Sequence, residues 1–177
     1  WTPIANVTNA PWLSAWDTSS HSDGDYQLRI EGTLTNSTTT GWVVSPTFTI
    51  DNTAPTGLTL STSGAVIGDG SSTISRAWFT TTETGTMNFD WNGSDSHLSH
   101  ATLTNVPGSG NPPQDGPGTI LNSWAWSPGD LTEGTWNSVL SVFDEGGNSA
   151  QTSIHIGIDR SGPEVGTPSL SVATGSW

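Results

Sequence analysis

The sequence predicts an all-β protein. Short runs of alternating apolar and polar residues recur along the chain, and Gly, Pro, Ser, Thr and Asn interrupt every stretch before a helix could extend over several turns. The clearest strand is 153–159, where Ile154, Ile156 and Ile158 share one face. Further strands are predicted at 26–30, 42–50, 58–61, 76–81, 87–91, 101–106 and 138–143. Residues 107–118 contain too many Gly and Pro residues for a strand and are predicted to form a long loop.

Composition is compatible with a small, thin core. Of the 177 residues, 31% are hydrophobic, less than the roughly 45–50% of an ordinary globular protein. The ten tryptophans and the Val, Ile and Leu runs can still fill the space between two facing sheets. We therefore expect a folded chain.

Charge and cysteine content narrow the classes of partner. Three arginines, no lysine and sixteen carboxylates give a formal net charge of −13. Nucleic acids and anionic membrane surfaces are bound through basic patches, so we expect neither as a partner. There is no cysteine, hence no disulfide framework and no thiolate site. The apolar runs are too short to cross a bilayer and no signal peptide is visible, so we expect no membrane insertion in this segment.

An internal repeat is the most informative feature of the sequence. Residues 48–55, Phe-Thr-Ile-Asp-Asn-Thr-Ala-Pro, match residues 156–163, Ile-Gly-Ile-Asp-Arg-Ser-Gly-Pro. The separation of the two copies is close to the roughly 100 residues of one immunoglobulin-type domain. A tryptophan (Trp16 or Trp126), an acidic turn with glycine (23–25 or 133–134) and an alternating strand (26–30 or 138–142) precede each copy in the same order.

This pattern resembles the Ig-like, or fibronectin-III-like, repeats of large bacterial and archaeal surface proteins. In those repeats the penultimate strand leads through an Asp-rich turn with a Gly-Asn pair to a last strand that ends in Asp-x-Thr/Ser-x-Pro. Residues 141–149 supply the turn and residues 154–163 supply the last strand and its ending. The resemblance implies tandem antiparallel β-sandwiches on a secreted or cell-surface protein. The first copy lacks the Asp and Gly-Asn turn, since 31–38 reads Glu-Gly-Thr-Leu-Thr-Asn-Ser-Thr.

The repeat also sets the expected domain boundaries. Residues 1–51 are predicted to be the C-terminal part of one Ig-like domain, 52–160 a complete β-sandwich, and 161–177 a linker with the first strand of a following domain. The predicted core of the complete domain consists of Leu58, Trp78, Phe89, Leu140, Val142, Ile154, Ile156 and Ile158.

Calcium is the metal that the acidic turns suggest. Hard cations bind several carboxylate and carbonyl oxygens held by turns, and such turns cluster near the predicted domain ends. The alternative is that each Asp caps its own turn. The candidate calcium ligands are Asp51, Asn52, Asp144, Glu145, Asn148, Asp159 and Glu164. His97 and His100, near Asp90 and Asp95, suggest a transition metal less well, because residues three apart on a strand point to opposite sides. Exposed loop histidines are the preferred interpretation.

Three further features of the sequence bear on function. No Ser lies in a nucleophile elbow, so a hydrolase triad has no supporting context and no catalytic residue is predicted. Trp78, Trp91, Trp126 and Trp136 are expected in the core, although exposed tryptophans would stack on sugars as in a carbohydrate-binding module. Three sequons predict N-glycosylation, at Asn6, Asn36 and Asn92.

The function expected from these observations is non-enzymatic. The chain would be a stalk, filament or adhesin segment, outside the cell or on its surface, whose partners are neighbouring Ig-like domains, identical subunits or surface glycans. A carbohydrate-binding module and an accessory domain of a secreted hydrolase are the alternatives. We expect the sequence, from Trp1 to Trp177, to be part of a longer protein. A second hypothesis for its partial ends is that strand 168–173 inserts into the N-terminal domain of the next subunit.

Overall fold

The protein is described by a computed structural model that covers residues 1–80, 87–108, 123–126, 132–164 and 166, with the backbone alone for 87–94 and 123–126. These residues form eleven strands and no helix. The all-β class is therefore confirmed. Within the same residues, no helix has the length and apolar content needed to cross a membrane.

The strands in chain order are β1 (Gly24–Tyr26), β2 (Arg29–Ile30), β3 (Val43–Val44), β4 (Phe48–Ile50), β5 (Thr56–Thr62), β6 (Ala77–Phe79), β7 (Met87–Ser94), β8 (Leu98–Thr104), β9 (Ser123–Trp126), β10 (Gly134–Asp144) and β11 (Ser149–Ile158).

Two sheets make up the larger part of the described chain. One has four strands in the order β6-β11-β10-β8, and the other has three in the order β5-β7-β9. All neighbours are antiparallel except β6, which runs parallel to β11. The long β10–β11 hairpin is closed by the predicted Asp-rich turn, in which Gly147 adopts φ +89°, a conformation that suits glycine.

The core lies on the inner face of the four-stranded sheet. Its buried members are Ala77, Phe79, Ala101, Leu103, Leu140, Val142, Ile154, Ile156 and Ile158. Leu58 and Leu60 of β5 pack against this cluster, which places the first strand of the three-stranded sheet beside the core. Alternation along β10 and β11 explains the burial, because every second side chain points to the same face. Five of the eight predicted core residues are fully buried, and Leu58 is partly buried.

The prediction that Trp78 lies in the core is wrong, because its side chain is on the outer face of the four-stranded sheet. Its neighbours Ala77 and Phe79 are 0% and 1% exposed and point inward, so Trp78 points outward and is only half-buried. Its indole lies over Gly157, the residue opposite it on β11, where a Cβ would overlap the ring. The side chains of Phe89, Trp91 and Trp126 lie outside the described residues, whereas Trp136 packs against the core as predicted.

The strands before residue 51 form two small sheets, β1 with β4 and β2 with β3. Both predicted strands here, 26–30 and 42–50, are each divided into two. The second of these strands is interrupted at Pro46, which has no N–H to donate. Ser45 lies in this interruption, where its Oγ accepts the Leu28 N–H at 2.9 Å and its own N–H donates to the Leu28 carbonyl at 2.8 Å. Packing in this part is mainly aromatic: Trp16 packs edge-on against Phe48 with ring centroids 6.0 Å apart.

Candidate functional site

The stretch between β4 and β5, residues 51–55, is held by residues 18–23, which directly precede β1. The backbone N–H of Asn52 donates to Asp23 Oδ1 at 2.7 Å, and the hydroxyl of Thr53 donates to Asp23 Oδ2. The Asn52 amide donates to the carbonyls of Thr18 (3.0 Å) and His21 (2.9 Å). These bonds lower the pKa of Asp23, with the Thr53 hydroxyl as the main cause. Both N–H groups of the Asn52 amide are therefore bonded to residues 18–23.

The same stretch is held from the other side by the β10–β11 turn. The Asn148 amide donates to the carbonyl of Asp51 and to Asp144 Oδ2, both at 2.9 Å. Asp144 is 4% exposed, and its Oδ1 accepts the Asn148 N–H at 2.7 Å. The Glu145 N–H donates to the carbonyl of His97 at 2.8 Å. We call residues 51–53, with the groups that bond them from both sides, the joint.

A matching arrangement occurs at the second copy of the sequence repeat. Glu133 Oε1 accepts the Arg160 N–H and the Ser161 hydroxyl, both at 2.7 Å, as Asp23 accepts from Asn52 and Thr53. These bonds lower the pKa of Glu133, with the Ser161 hydroxyl as the main cause. Asp159 Oδ1 accepts the Ser161 N–H at 3.1 Å, as Asp51 Oδ1 accepts from Thr53 at 3.2 Å.

Strand register matches at the two copies as well. Gly24 is paired with Ile50 and Tyr26 with Phe48 in the β1–β4 ladder. In β10–β11, Gly134 is paired with Ile158 and Trp136 with Ile156. In both copies the acid stands directly before the paired glycine. The two copies therefore share the acid, the ladder and the capped linker.

Beside the joint, three potential metal ligands converge. One ligand atom each from Asp51, Asp95 and His97 lie within 4.8 Å of one another. Asp51 Oδ2 is 3.3 Å from His97 Nδ1, and the Asp51 side chain is 9% exposed against 44% for His97. Asp51 Oδ2 is buried and accepts no hydrogen bond. The cluster thus contains one buried oxygen with an unused acceptor capacity.

The predicted calcium ligands are not all brought together. Asp51 lies in the cluster of three, but Asn52 is directed to residues 18–23, and Asp144 and Asn148 bond each other. The Glu145 and Glu164 residues are exposed, and Asp159 caps its own turn. Calcium binding by these residues stays a prediction. Asp95 and His97 were not assigned to this site from the sequence, because their partner Asp51 is distant along the chain.

The other candidate residues are placed as follows. Asn6 is exposed, and Asn36 is exposed in a turn where its Oδ1 accepts the Thr38 N–H at 3.0 Å. Asn92 lies within β7, opposite Thr59. His100 lies within β8, is half-buried and stacks on Phe143 with ring centroids 4.5 Å apart, so the expectation of an exposed loop histidine is wrong for this residue. Glycosylation at the three asparagines stays a prediction.

Comparison with known proteins adds no relatives: no protein-family model matches the chain, and neither a search of curated proteins nor one of solved structures gives a match.

Proposed function

We propose that the chain is a non-enzymatic structural segment of a secreted or cell-surface protein, built from Ig-like β-sandwich modules in tandem. Such a segment sets the spacing between modules and mediates assembly or adhesion. Its partners would be neighbouring modules or identical subunits.

One observation carries the proposal: the capped linker after β4 recurs after β11. An acid before a paired glycine bonds the backbone N–H and the hydroxyl of the residues that follow the last strand, in both copies. Equal register in the two ladders supports the interpretation that residues 24–53 and 134–161 are equivalent ends of two modules. The separate β6-β11-β10-β8 and β5-β7-β9 sheets, with Leu58 and Leu60 of β5 packed against the core, support a sandwich for the module between them.

The joint also supports a spacing role. A flexible linker would leave the backbone polar groups to water, whereas residues 51–53 are bonded both to residues 18–23 and to Asn148. Bonds from both sides restrict the angle between consecutive modules. A segment with such joints behaves as a stiff rod rather than a chain of beads.

A second candidate, a carbohydrate-binding module, is favoured by exposed tryptophans before residue 51. Trp1, Trp12 and Trp42 are 66%, 64% and 54% exposed. The guanidinium of Arg29 stacks between Trp1 and Trp42, at 4.5 and 4.2 Å from the ring centroids, which covers one face of each ring. Among the described contacts, no cation covers a face of the Trp12 ring.

The direct test of the structural role is mechanical. Tension on the two ends of the region 56–158 reaches β5 and β11 first; once β5 is detached, the force acts along the parallel strands β6 and β11 and loads their contacts together in shear. We expect the region 56–158 to resist extension until one cooperative rupture in single-molecule pulling. Gradual extension at low force would contradict a mechanical role.

Binding and turnover assays separate the rival classes. A glycan array and a broad hydrolase panel, both with the full chain, should give no signal above the heat-unfolded chain. Sugar binding that is lost in Trp12→Ala or Trp42→Ala, but kept in Leu13→Ala, would replace the structural proposal by the carbohydrate-binding module. Substrate turnover would replace it by an enzyme.

A further inference from the structure

We propose that Asp51, Asp95 and His97 form a binding site for a divalent transition metal, with zinc as its representative, that fastens the joint to the body of the protein. The evidence for the site is the set of contacts among these three residues. It is independent of the spacing role, so either proposal can fail without the other.

The spacing of one pair of ligand atoms fits such an ion, and the third lies close by. All three lie within 4.8 Å of one another, and Asp51 Oδ2 is 3.3 Å from His97 Nδ1. Two ligands at zinc distances of about 2.0–2.1 Å in tetrahedral geometry are about 3.3–3.5 Å apart. Asp95 Oδ1 accepts the His97 N–H at 2.8 Å, which fixes the carboxylate beside the imidazole.

The buried oxygen of Asp51 is an independent indication of a missing ligand. The side chain is 9% exposed, and Oδ2 is buried without a hydrogen bond. An unsatisfied buried acceptor costs free energy, and a carboxylate oxygen costs more than a neutral one. Oδ1 is already used by the Thr53 N–H at 3.2 Å, so Oδ2 is the atom left for a ligand.

Without a metal, His97 is the available partner of that oxygen. Its Nδ1 also lies 3.0 Å from the hydroxyl of Ser96, so the two oxygens compete for one ring nitrogen. A metal ion resolves the competition, because neutral Nδ1 and Asp51 Oδ2 then both donate electron pairs to the same cation. His97 is 44% exposed, which gives the ion a path from solvent and leaves room for a water ligand.

The ligand types select the class of metal. Calcium takes six to eight oxygen ligands, whereas this site offers an imidazole nitrogen with two carboxylates. Mixed nitrogen and oxygen ligands suit zinc and its first-row neighbours. The site therefore differs in composition from the all-oxygen site that the acidic turns suggest.

The position of the ligands gives the ion a structural consequence. Asp51 belongs to the joint, while Asp95 and His97 lie between β7 and β8. The Glu145 N–H already holds the His97 carbonyl, and the Asn148 amide holds the Asp51 carbonyl. A bound ion adds a cross-link between two segments that are otherwise connected through the β10–β11 turn.

Calorimetric titration of the chelator-treated, desalted full chain with zinc chloride tests the site. We expect one zinc per chain, loss of that binding in Asp51→Asn and His97→Ala, and unchanged binding in the control His155→Gln. Asp51→Asn preserves the shape and the acceptor for Thr53, so it removes the charge with the smallest disturbance. Cobalt substitution should give the visible absorption bands of a four-coordinate site.

Three results would overturn the proposal: no stoichiometric zinc binding, zinc binding unaffected by Asp51→Asn, or binding of calcium in place of zinc in a parallel titration. If a variant does not fold, imidazole nitrogen NMR of the unaltered chain decides. Zinc should then shift the His97 nitrogen resonances and leave those of His155 in place, and absence of that shift would also overturn it.

Discussion

Replacement of Asn148 by alanine is the sharpest test of the joint. The amide bonds the carbonyl of Asp51 and Asp144 Oδ2, each at 2.9 Å. A neutral bond contributes about 0.5–1.5 kcal/mol and a bond to a carboxylate about 1.5–3 kcal/mol. Asp144 is 4% exposed, so little water can replace the lost donor. We expect Asn148→Ala to lower the free energy of unfolding by about 2–4 kcal/mol.

Urea unfolding followed by tryptophan fluorescence and by circular dichroism measures this loss. Glu145→Ala is the matched control, because this exposed residue lies in the same turn and bonds His97 through its backbone N–H, which the substitution keeps. The control should change stability by no more than about 0.5 kcal/mol. Equal effects of the two substitutions, or a loss below about 0.5 kcal/mol for Asn148→Ala, would refute the role assigned to the amide.

Three further substitutions probe the fold and its acid stability. Leu140→Ala removes a side chain that is 0% exposed and should cost about 2–5 kcal/mol in urea unfolding; a cost near zero would contradict the assigned core. Gly70→Ala places a Cβ against Ile154 at φ +79° and should cost about 1–3 kcal/mol; a stabilised variant would contradict the close approach. The Ser75 hydroxyl is the main cause that lowers the pKa of Asp69 from 3.8 to about 2. The stabilisation by the ionised Asp69 carboxylate is therefore complete above pH 3.8 and is lost as the pH falls towards 2. In Asp69→Asn, the free energy of unfolding should depend less on pH in that window, and an unchanged pH dependence would contradict this assignment.

Part of the fold could be predicted because alternating apolar residues on a strand lie on one face, and that face is the one buried in the core. Ile154, Ile156 and Ile158 were assigned to one face by their spacing, and all three are buried. Trp78 was misassigned because size was given more weight than parity: Ala77 and Phe79 occupy the inward positions of β6. A large aromatic can also be accommodated on an outer face where the opposite residue is glycine, as at 157.

The candidate site was less predictable, because it depends on contacts between distant segments. Asp51 stood out through the repeat, and its capping of Thr53 follows from local turn chemistry. Its approach to His97 requires β7 and β8 to meet the joint, which no local pattern encodes. The commitment of Asn148 to Asp51 is likewise a tertiary contact, although the turn itself was recognised from its Asp and Gly-Asn residues.

Rigidity of the joint is the most direct test of the proposed spacing role. The chain has no cysteine, so Thr35→Cys and Gln151→Cys place two spin labels uniquely, one at an exposed residue on each side of the joint. Pulsed electron–electron double resonance then reports the distribution of distances between them. We predict a single narrow distribution that broadens in Asn148→Ala and stays narrow in Glu145→Ala. A broad distribution in the doubly labelled chain without either substitution would contradict the rigid joint on which the spacing role depends.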